Sequence, residues 1–238
     1  ALARALGMAQ IPAELGERAG LLAERKSGGH YDRLRGRVTF PIQDVRGDVV
    51  AFGGRVLPGA APKPDGDEGP KYLNTPESPL FRKREAFYGL PEALEAIRRS
   101  ERAIIVEGYF DRIALARAGM PESLATCGTA LTPEHARQLR RRTREVVLLF
   151  DGDEAGQRAV ERSLAILLPE GVRVRAAALP PADDPDSVLA RDGADALRAI
   201  VDAAVPAVEA VIRRVSARAH ATPWEKSDAV AAVAPLLG

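Results

Sequence analysis

The sequence has little cysteine, histidine and lysine, and it contains no long apolar run. Its single cysteine, Cys127, excludes an internal disulfide framework and a cysteine-rich zinc site. The three histidines are scattered along the chain and indicate no metal cluster. No apolar run approaches the length of a membrane span and no signal peptide is evident, so a soluble cytoplasmic protein is expected.

Charge is balanced over the whole chain but is unevenly distributed along it. The formal net charge is +1, so the field of the whole molecule will not drive nucleic-acid binding. Residues 1–100 carry 16 basic and 13 acidic residues, whereas residues 101–238 carry 18 and 20. The N-terminal part therefore suits phosphate binding, and the rest suits a metal site. Because most basic residues are Arg, a Lys within a motif is informative; the lysines are Lys26, Lys63, Lys71, Lys83 and Lys226.

Acidic residues follow three apolar runs in the second half of the chain. The runs are Ala103–Val106, Val146–Phe150 and Val174–Leu179. The acids that follow them are, in order, Glu107 and Asp111, Asp151 and Asp153, and Asp184 and Asp186. Such runs are typical of buried parallel strands, and ligands bind at the carboxyl edge of a parallel sheet. Converging carboxylates repel one another unless a divalent cation lies among them, and hard oxygen ligands indicate Mg²⁺.

Strand-like and helix-like patterns alternate after residue 100 and predict an α/β fold with a parallel sheet. The preceding part is predicted to contain helix over residues 1–27, a β-hairpin over 37–52 and a mobile Pro- and Gly-rich loop over 58–70. After the sheet, we expect helix from Ser187 to about Arg218 and a final helix near Thr222.

The acidic pattern resembles the Toprim domain, the metal-binding module shared by bacterial primases, type IA and II topoisomerases and some nucleases. Glu107 after one strand and Asp151-Gly152-Asp153 after a later one carry this resemblance. Segments upstream resemble signatures of the bacterial DnaG-type primase, in the same order: Tyr31–Ile42, Ala51–Leu57, Pro70–Glu77, Phe81–Lys83 and Phe87–Leu90. The chain is therefore interpreted as the RNA polymerase core of a primase.

This resemblance implies three parts and a set of site residues. It implies a partial α+β subdomain at residues 1–100 that binds nucleotide and nucleic acid, a catalytic Toprim domain at 101–187 and a partial helical subdomain at 188–238. The implied catalytic residues are Glu107, Asp151 and Asp153, and the implied metal ligands are Glu107, Asp111, Asp151, Asp153, Asp184 and Asp186. The implied nucleotide-binding residues are Arg55, Lys71, Tyr72, Asn74 and Lys83. Arg33, Arg35 and Arg37 alternate on a stretch that enters a predicted strand, which favours a phosphate-binding stripe on one face.

The resemblance also implies ligands and partners. Two or more Mg²⁺ or Mn²⁺ ions are expected, and no zinc is expected in this chain. Single-stranded DNA template and ribonucleoside triphosphates are the implied substrates, and an RNA primer is the product. A zinc-binding domain and a helicase-binding domain of a full primase are not recognised here, so the chain is interpreted as a fragment that would meet the replicative helicase only through a domain it lacks.

Several alternatives remain open at this point. Asp184 and Asp186 are expected either to bind a further ion or only to begin a helix, where carboxylates are favourable without metal. Glu107 is expected to act as a metal ligand, as a general acid or base, or as both. The same acids would serve a Toprim nuclease or topoisomerase, or a Toprim module that binds DNA without catalysis. A run of basic residues is expected either to form a solvated helix face or to contact DNA. Its members are Arg137, Arg140, Arg141, Arg142 and Arg144.

Overall fold

The computed structural model describes residues 2–59 and 70–218, together with residues 222, 224 and 234. The chain divides into two compact units, with the boundary between Ala86 and Phe87. Most of the predicted loop over 58–70, and almost all of the final helix predicted near Thr222, lie outside the described residues.

The first unit combines two short helices with two small antiparallel sheets. Its elements are α1 (Leu2–Met8), α2 (Ala13–Arg18), β1 (Leu22–Glu24), β2 (His30–Asp32), β3 (Arg37–Gln43), β4 (Val49–Val56) and β5 (Tyr72–Asn74). Strand β1 pairs with β2, and the order of the other sheet is β3-β4-β5. The hairpin predicted over residues 37–52 is confirmed as β3 and β4.

The prediction of helix over residues 1–27 is wrong after α2. Gly20 has a φ of 69°, and a Cβ there would lie 2.2 Å from Cδ of Pro76. The chain therefore turns at a position that only glycine accommodates easily, and Leu22 is buried at the start of β1.

The second unit is an α/β domain with one six-stranded sheet. Its elements are β6 (Phe87–Tyr88), α3 (Leu90–Ser100), β7 (Arg102–Val106), α4 (Tyr109–Arg117), β8 (Ser123–Thr126), α5 (Pro133–Arg140), β9 (Glu145–Leu148), α6 (Glu154–Leu167), a 3₁₀ turn (Leu168–Glu170), β10 (Arg173–Ala176), α7 (Pro185–Asp202), β11 (Val205–Pro206) and α8 (Ala207–Arg218). The strand order is β11-β10-β9-β7-β8-β6. Strands β10, β9, β7 and β8 are parallel, and the two outer strands are antiparallel, so the predicted α/β class is confirmed.

The sheet is covered by apolar residues on both faces. On one face, Ala103 and Ile105 pack with residues of α3, α5, α6 and α8. On the other face, Ile104 and Val106 pack with residues of α4 and α7. This two-sided burial explains why the central strands β7 and β9 are apolar after their first residue, whereas β10, nearer the edge of the sheet, alternates as Arg-Val-Arg-Ala.

The helix predicted from Ser187 to about Arg218 is interrupted twice, since α7 has a non-helical residue at Gly193, with φ 84° and ψ 178°, and a short strand separates α7 from α8. Helix α7 ends at Asp202, and β11 then pairs with β10, with Pro206 opposite Arg175. The Arg175 side chain donates to the carbonyl oxygen of Ala204 through Nε at 3.0 Å. Pro206 lacks the N–H that a continuing helix needs, and the strand pairing takes the place of the helical bonds.

Within the residues that the structure describes, no helix is both long enough and apolar enough to span a bilayer.

Candidate active site

The carboxyl ends of β7, β9 and β10 meet at one edge of the sheet in the second unit. These strands are parallel neighbours, with Leu148 of β9 opposite Ile105 on one side and Ala176 on the other. The three acidic segments predicted from the sequence follow these strands. The order of the strands places the segment that begins at Asp151 between the other two.

Glu107 follows β7 directly and lies in the field of the acids after β9. Loss of solvent around its carboxyl group raises its pKa, and the charges of Asp151 and Asp153 raise the pKa further. The guanidinium group of Arg162, on α6, acts in the opposite direction. Glu107 therefore belongs to the same electrostatic cluster as the Asp-Gly-Asp segment.

Asp111 lies in the first turn of α4 and accepts a hydrogen bond from the backbone N–H of Gly108 at 3.0 Å. Burial and the charges of Asp151 and Asp184 raise the pKa of Asp111 to about 7, against the effect of the Gly108 hydrogen bond. Asp186 raises the pKa as well. The Asp111 carboxyl group therefore lies where burial, and then neighbouring negative charge, oppose its ionisation.

Asp151 and Asp153 differ in their local bonding. Burial, followed by the charges of Asp184 and Asp153, raises the pKa of Asp151. Asp153 is the N-cap of α6, and its Oδ1 accepts from the N–H of Gly156 at 2.8 Å. The cap holds the Asp153 side chain at the edge of the site and stabilises the start of the helix.

Asp184 and Asp186 begin α7, as the helix-start reading of the sequence predicts. Oδ1 of Asp184 accepts from the N–H of Ser187 at 2.7 Å, and the Ser187 hydroxyl accepts from the N–H of Asp184 at 3.0 Å. The effects of both acids on the pKa of Asp111 show that they also lie within the cluster. All six predicted acids are thus brought together at this edge.

Gly152 allows the second and third acidic segments to interlock. A Cβ at this position would lie 2.0 Å from the carbonyl oxygen of Pro180, a distance that real Cβ atoms do not show. The Gly152 N–H donates to the carbonyl oxygen of Asp183 at 3.0 Å. Gly156 plays a similar part, because a Cβ there would lie 2.1 Å from the carbonyl oxygen of Asp151. The close approach of these backbones sets the separation of Asp151 from Asp184.

Asp183 does not share the environment of its neighbour Asp184. Its two carboxylate oxygens accept from Arg191 at 2.9 and 2.8 Å. These hydrogen bonds are the largest effect on the pKa of Asp183 and lower it, so this acid is neutralised by an arginine of α7. The bidentate pair and the Gly152 bond together fix the loop that leads into α7.

A cavity of about 330 Å³ opens beside Glu107. Its lining includes Thr126, Thr129, Arg162 and Ser163, so Arg162 of α6 and Glu107 face one space. Sequence reasoning missed Arg162. Arginine is the common basic residue of this chain, and Arg162 lies in none of the recognised motifs.

The donor set suits a hard divalent cation, because it consists of carboxylates whose pKa values are raised first by burial and then by their mutual repulsion, namely Glu107, Asp111 and Asp151. In the described part of the chain, no three Asp, Glu, His or Cys side chains are placed so that they could hold a metal ion between them. The chemistry of the donors, rather than their spacing, is therefore what favours a cation at this edge.

The first unit carries most of the predicted nucleotide-binding residues on two neighbouring strands. Arg55 of β4 lies opposite Tyr72 of β5, and Asn74 lies two residues further on the same face, opposite Gly53. The guanidinium carbon of Arg55 is 5.7 Å from the centre of the Tyr72 ring, and Nζ of Lys71 is 6.0 Å from it. Four of the five predicted residues therefore form one patch.

Lys83 lies in a turn further along the chain and is half-buried. Its backbone N–H donates to Oε1 of Glu77 at 2.8 Å. Among the described residues, no hydrogen bond or ring contact joins Lys83 to the other four.

The prediction that Arg33, Arg35 and Arg37 alternate along one face is wrong. Residues 33–36 form a turn, and Gly36 has a φ of 66°. The Arg35 guanidinium lies 4.3 Å from the centre of the Tyr31 ring, whereas Arg37 donates to backbone oxygens at Gly54, Pro70 and Lys71. Because Arg37 pairs with Val56 in the ladder, it also lies on the sheet face opposite to Arg55.

Comparison with known proteins agrees with this arrangement of two parts. Residues 1–94 match the family described as the DNA primase catalytic core, N-terminal domain, and residues 104–189 match the Toprim-like family. The DNA primase of Pseudomonas aeruginosa is 44% identical over 225 residues, which is 92% of this chain and 33% of that protein. The chain thus spans about a third of the length of this relative.

Solved structures show the same fold. The crystal structure of a DNA primase domain from Pseudomonas aeruginosa has 43% identity and a TM-score of 0.82, and the match covers 94% of this chain and 70% of that one. A DnaG primase catalytic domain bound to single-stranded DNA has 36% identity and a TM-score of 0.79, with 94% and 71% of the two chains covered. The predicted resemblance is confirmed, and the chain belongs to the family of DnaG-type DNA primases.

Proposed function

We propose that this chain is a primase catalytic core, which synthesises short RNA primers on single-stranded DNA by two-metal nucleotidyl transfer. The observation that carries the proposal is the gathering of six carboxylates at the carboxyl edge of the Toprim-like sheet. The reaction is a phosphoryl transfer, and carboxylates at such an edge are the groups that hold the cations this chemistry needs.

The proposed cofactor is Mg²⁺ or Mn²⁺, in two or more ions. We assign Glu107, Asp151 and Asp153 to the central ligand set, and Asp111, Asp184 and Asp186 to the neighbouring positions. When bound, the ions activate the attacking 3′-hydroxyl and neutralise the pyrophosphate leaving group. The chain itself supplies pre-positioned carboxylates, since Asp111, Asp153 and Asp184 are each held by a backbone N–H.

Glu107 is proposed to act in proton transfer as well as in ligation. Its raised pKa brings the carboxylate closer to the range in which a general base works well near neutral pH. The charge of Arg162 opposes that rise in the pKa of Glu107. The cavity beside Glu107 gives a reacting group access to its carboxylate.

Nucleotide binding is assigned to the first unit, through Arg55, Lys71, Tyr72, Asn74 and Lys83. A triphosphate needs cationic side chains in addition to metal, and Arg55 and Lys71 lie beside the same aromatic ring. Arg33, Arg35 and Arg37 remain proposed contacts for nucleic acid, now as separate groups rather than a stripe.

The remaining assignments follow the family. The substrates proposed are single-stranded DNA and ribonucleoside triphosphates, with an RNA primer as product, at the replication fork in the bacterial cytoplasm. Contact with the replicative helicase is proposed to involve a part of the protein outside this chain. We also retain residues 1–100, 101–187 and 188–238 as the proposed functional parts.

The proposal is tested with the wild-type chain, Glu107→Gln and Glu95→Gln. Glu95 is an exposed partner of Arg98 on α3 and serves as a matched control. Each protein is incubated with labelled single-stranded DNA, all four ribonucleotides and Mg²⁺ or Mn²⁺, and the products are separated on a gel. Short RNA from the wild type and from Glu95→Gln, but not from Glu107→Gln, is the expected result.

Two other outcomes would contradict the proposal. Shortened DNA without RNA would identify a Toprim nuclease. Absence of both products, with equal DNA binding by the three proteins, would favour a Toprim module without catalysis.

A further inference from the structure

Exposed arginines gather at the edge of the sheet opposite to the candidate active site. That edge is formed by the amino ends of the parallel strands, where β9 begins at Glu145 and β10 begins at Arg173. We define the amino-edge arginines as Arg140, Arg141, Arg144 and Arg173, all of which are exposed.

The amino-edge arginines are contiguous although they come from distant parts of the chain. The N–H of Arg173 donates to the carbonyl oxygen of Arg144 at 2.8 Å, which places the two residues side by side. Nε of Arg140 lies 3.8 Å from the position of a Cβ on Gly171. The end of α5 and the start of β10 therefore contribute to one surface.

Three of the amino-edge arginines, Arg140, Arg141 and Arg144, belong to the basic run seen in the sequence, and the structure separates them from its other two members. Arg137 pairs with Glu134 at 3.3 Å. Arg142 is half-buried and donates to the carbonyl oxygen of Gln138 at 2.8 Å. With the residues that the structure describes, the guanidinium groups of the amino-edge arginines form no ion pair or hydrogen bond, so their donors face solvent.

The acids at this edge do not neutralise the amino-edge arginines. Glu145 pairs with Arg175 at 3.8 Å, and Arg102 pairs both with Glu122 at 3.0 Å and with Asp202 at 3.2 Å. Glu101 and Glu170 also lie at this edge, and their two charges leave an excess of positive charge.

Stabilisation of a helix end explains only part of this surface. Cations near a helix C-terminus interact favourably with its dipole, and this accounts for Arg140 and Arg141 at the end of α5. Arg144 follows the helix by several residues, and Arg173 begins a strand. Their placement needs another reason.

We propose that the amino-edge arginines bind the phosphate backbone of single-stranded DNA, at a surface separate from the candidate active site. Guanidinium groups bind phosphate through two parallel hydrogen bonds, and four unpaired groups in one patch suit a polyanion. Among residues 87–218, the one exposed large hydrophobic residue is Ile212, on α8, a helix that carries none of the amino-edge arginines. A protein partner would be expected to need apolar or aromatic anchors, and base stacking would need aromatic rings. The surface is therefore proposed to bind without sequence preference.

The test is salt-dependent DNA binding by the variant Arg141→Gln/Arg144→Gln/Arg173→Gln. Fluorescence anisotropy is measured without divalent metal or nucleotide, using single-stranded DNA of about 30 nucleotides, longer than the footprint of one binding module. Loss of three phosphate contacts should reduce the slope of log K against log salt by about 2. Affinity at about 0.1 M salt should fall roughly 10- to 100-fold by the same relation.

The matched control is Arg98→Gln/Arg158→Gln/Arg213→Gln. It removes the same charge, but from arginines already paired with acids, namely Glu95, Glu154 and Glu209. Equal losses in the two triple variants would overturn the proposal, because net charge alone would explain them. Unchanged DNA binding with lost binding to poly-glutamate would also overturn it and identify an acidic protein as the partner.

Two features of the experiment distinguish loss of DNA binding from misfolding and from failure of the proposed catalytic function. If the triple variant does not melt like the wild type, the three single variants are measured instead, each with an expected slope change of about 0.7. The binding assay contains neither divalent metal nor nucleotide, so its result does not depend on catalysis. A failure of primer synthesis would therefore leave the binding result intact.

Discussion

Substitution of Asp111 by Asn should stabilise the metal-free protein at alkaline pH. The pKa of Asp111 is raised from 3.8 to about 7 in the folded protein, mainly by burial and by Asp151 and Asp184. Between these pH values the folded state binds a proton that the unfolded chain has released. The free energy of unfolding therefore falls as the pH rises from about 4 to about 7, and it is level above that. Asn remains uncharged, and its amide oxygen can still accept from Gly108.

The magnitude follows from the shift in pKa. At 1.36 kcal/mol per unit, the penalty carried by the Asp111 carboxylate reaches about 4 kcal/mol above pH 7, as an upper bound. At about pH 5 the same relation gives about 1.5 kcal/mol. The advantage of Asp111→Asn over the wild type should therefore grow by about 2 to 3 kcal/mol between about pH 5 and about pH 8.

The assay is urea unfolding followed by circular dichroism in the presence of EDTA, at several pH values. An unchanged slope of free energy against urea confirms that the variants expose the same surface on unfolding. Asp183→Asn is the control, because Arg191 lowers the pKa of Asp183 and its effect should be constant over this pH range. Saturating Mg²⁺ should stabilise the wild type more than Asp111→Asn. If the stability difference between the wild type and Asp111→Asn were the same at all pH values, the pKa of Asp111 would not be raised, and the reasoning about these neighbouring carboxylates would be refuted.

Three further predictions concern the same two sites. Gly152→Ala should lower the rate of primer synthesis at least tenfold. The new Cβ would lie 2.0 Å from the carbonyl oxygen of Pro180, so the loop that leads to α7 must move. The rate is measured at saturating Mg²⁺, and the melting temperature of the variant is measured in parallel. Arg162→Gln should raise the pKa of Glu107, because it removes a cation that lowers it, so the acidic limb of the pH–rate profile should shift to higher pH. Lys71→Ala should raise the KM for nucleotide about tenfold without changing Mg²⁺ affinity, as expected for loss of one charge-assisted contact.

Each of these variants has a matched control elsewhere in the chain. The control for Gly152→Ala is Gly7→Ala, whose new Cβ has no atom within 4 Å. The control for Arg162→Gln is Arg158→Gln, which removes a cation of α6 that pairs with Glu154. The control for Lys71→Ala is Lys26→Ala, which removes a lysine outside the predicted motifs. Equal effects in a variant and its control would contradict the role assigned to the first residue.

Local sequence patterns predicted the parts of the fold that depend on neighbouring residues. The apolar runs before Glu107 and Asp151 are buried strands, because only uninterrupted apolar residues suit a sheet covered on both faces. Thr132 and Pro133 begin α5, and the Thr132 hydroxyl accepts from the N–H of His135 at 3.2 Å. These features need no information from distant residues.

Local patterns misled where distant contacts compete with helix propensity. The helix predicted after Ser187 breaks because β11 pairs with β10 and Arg175 binds the backbone at Ala204. The extended stretch predicted for Arg33 to Arg37 is a turn, since Gly36 adopts a positive φ and Arg37 binds backbone oxygens across the sheet. In both places a contact with a residue far along the chain decides the conformation.

Local sequence patterns are enough to identify the acidic segments, the buried strands that precede them and the family that the motifs resemble. The three-dimensional fold places β9 between β7 and β10, which brings Asp151 within the fields of both Glu107 and Asp184. It also decided that Arg173 lies beside Arg144, at the opposite edge. The physical reason is that strand order and loop contacts arise from packing between distant segments, and the periodicity of a single segment does not encode them.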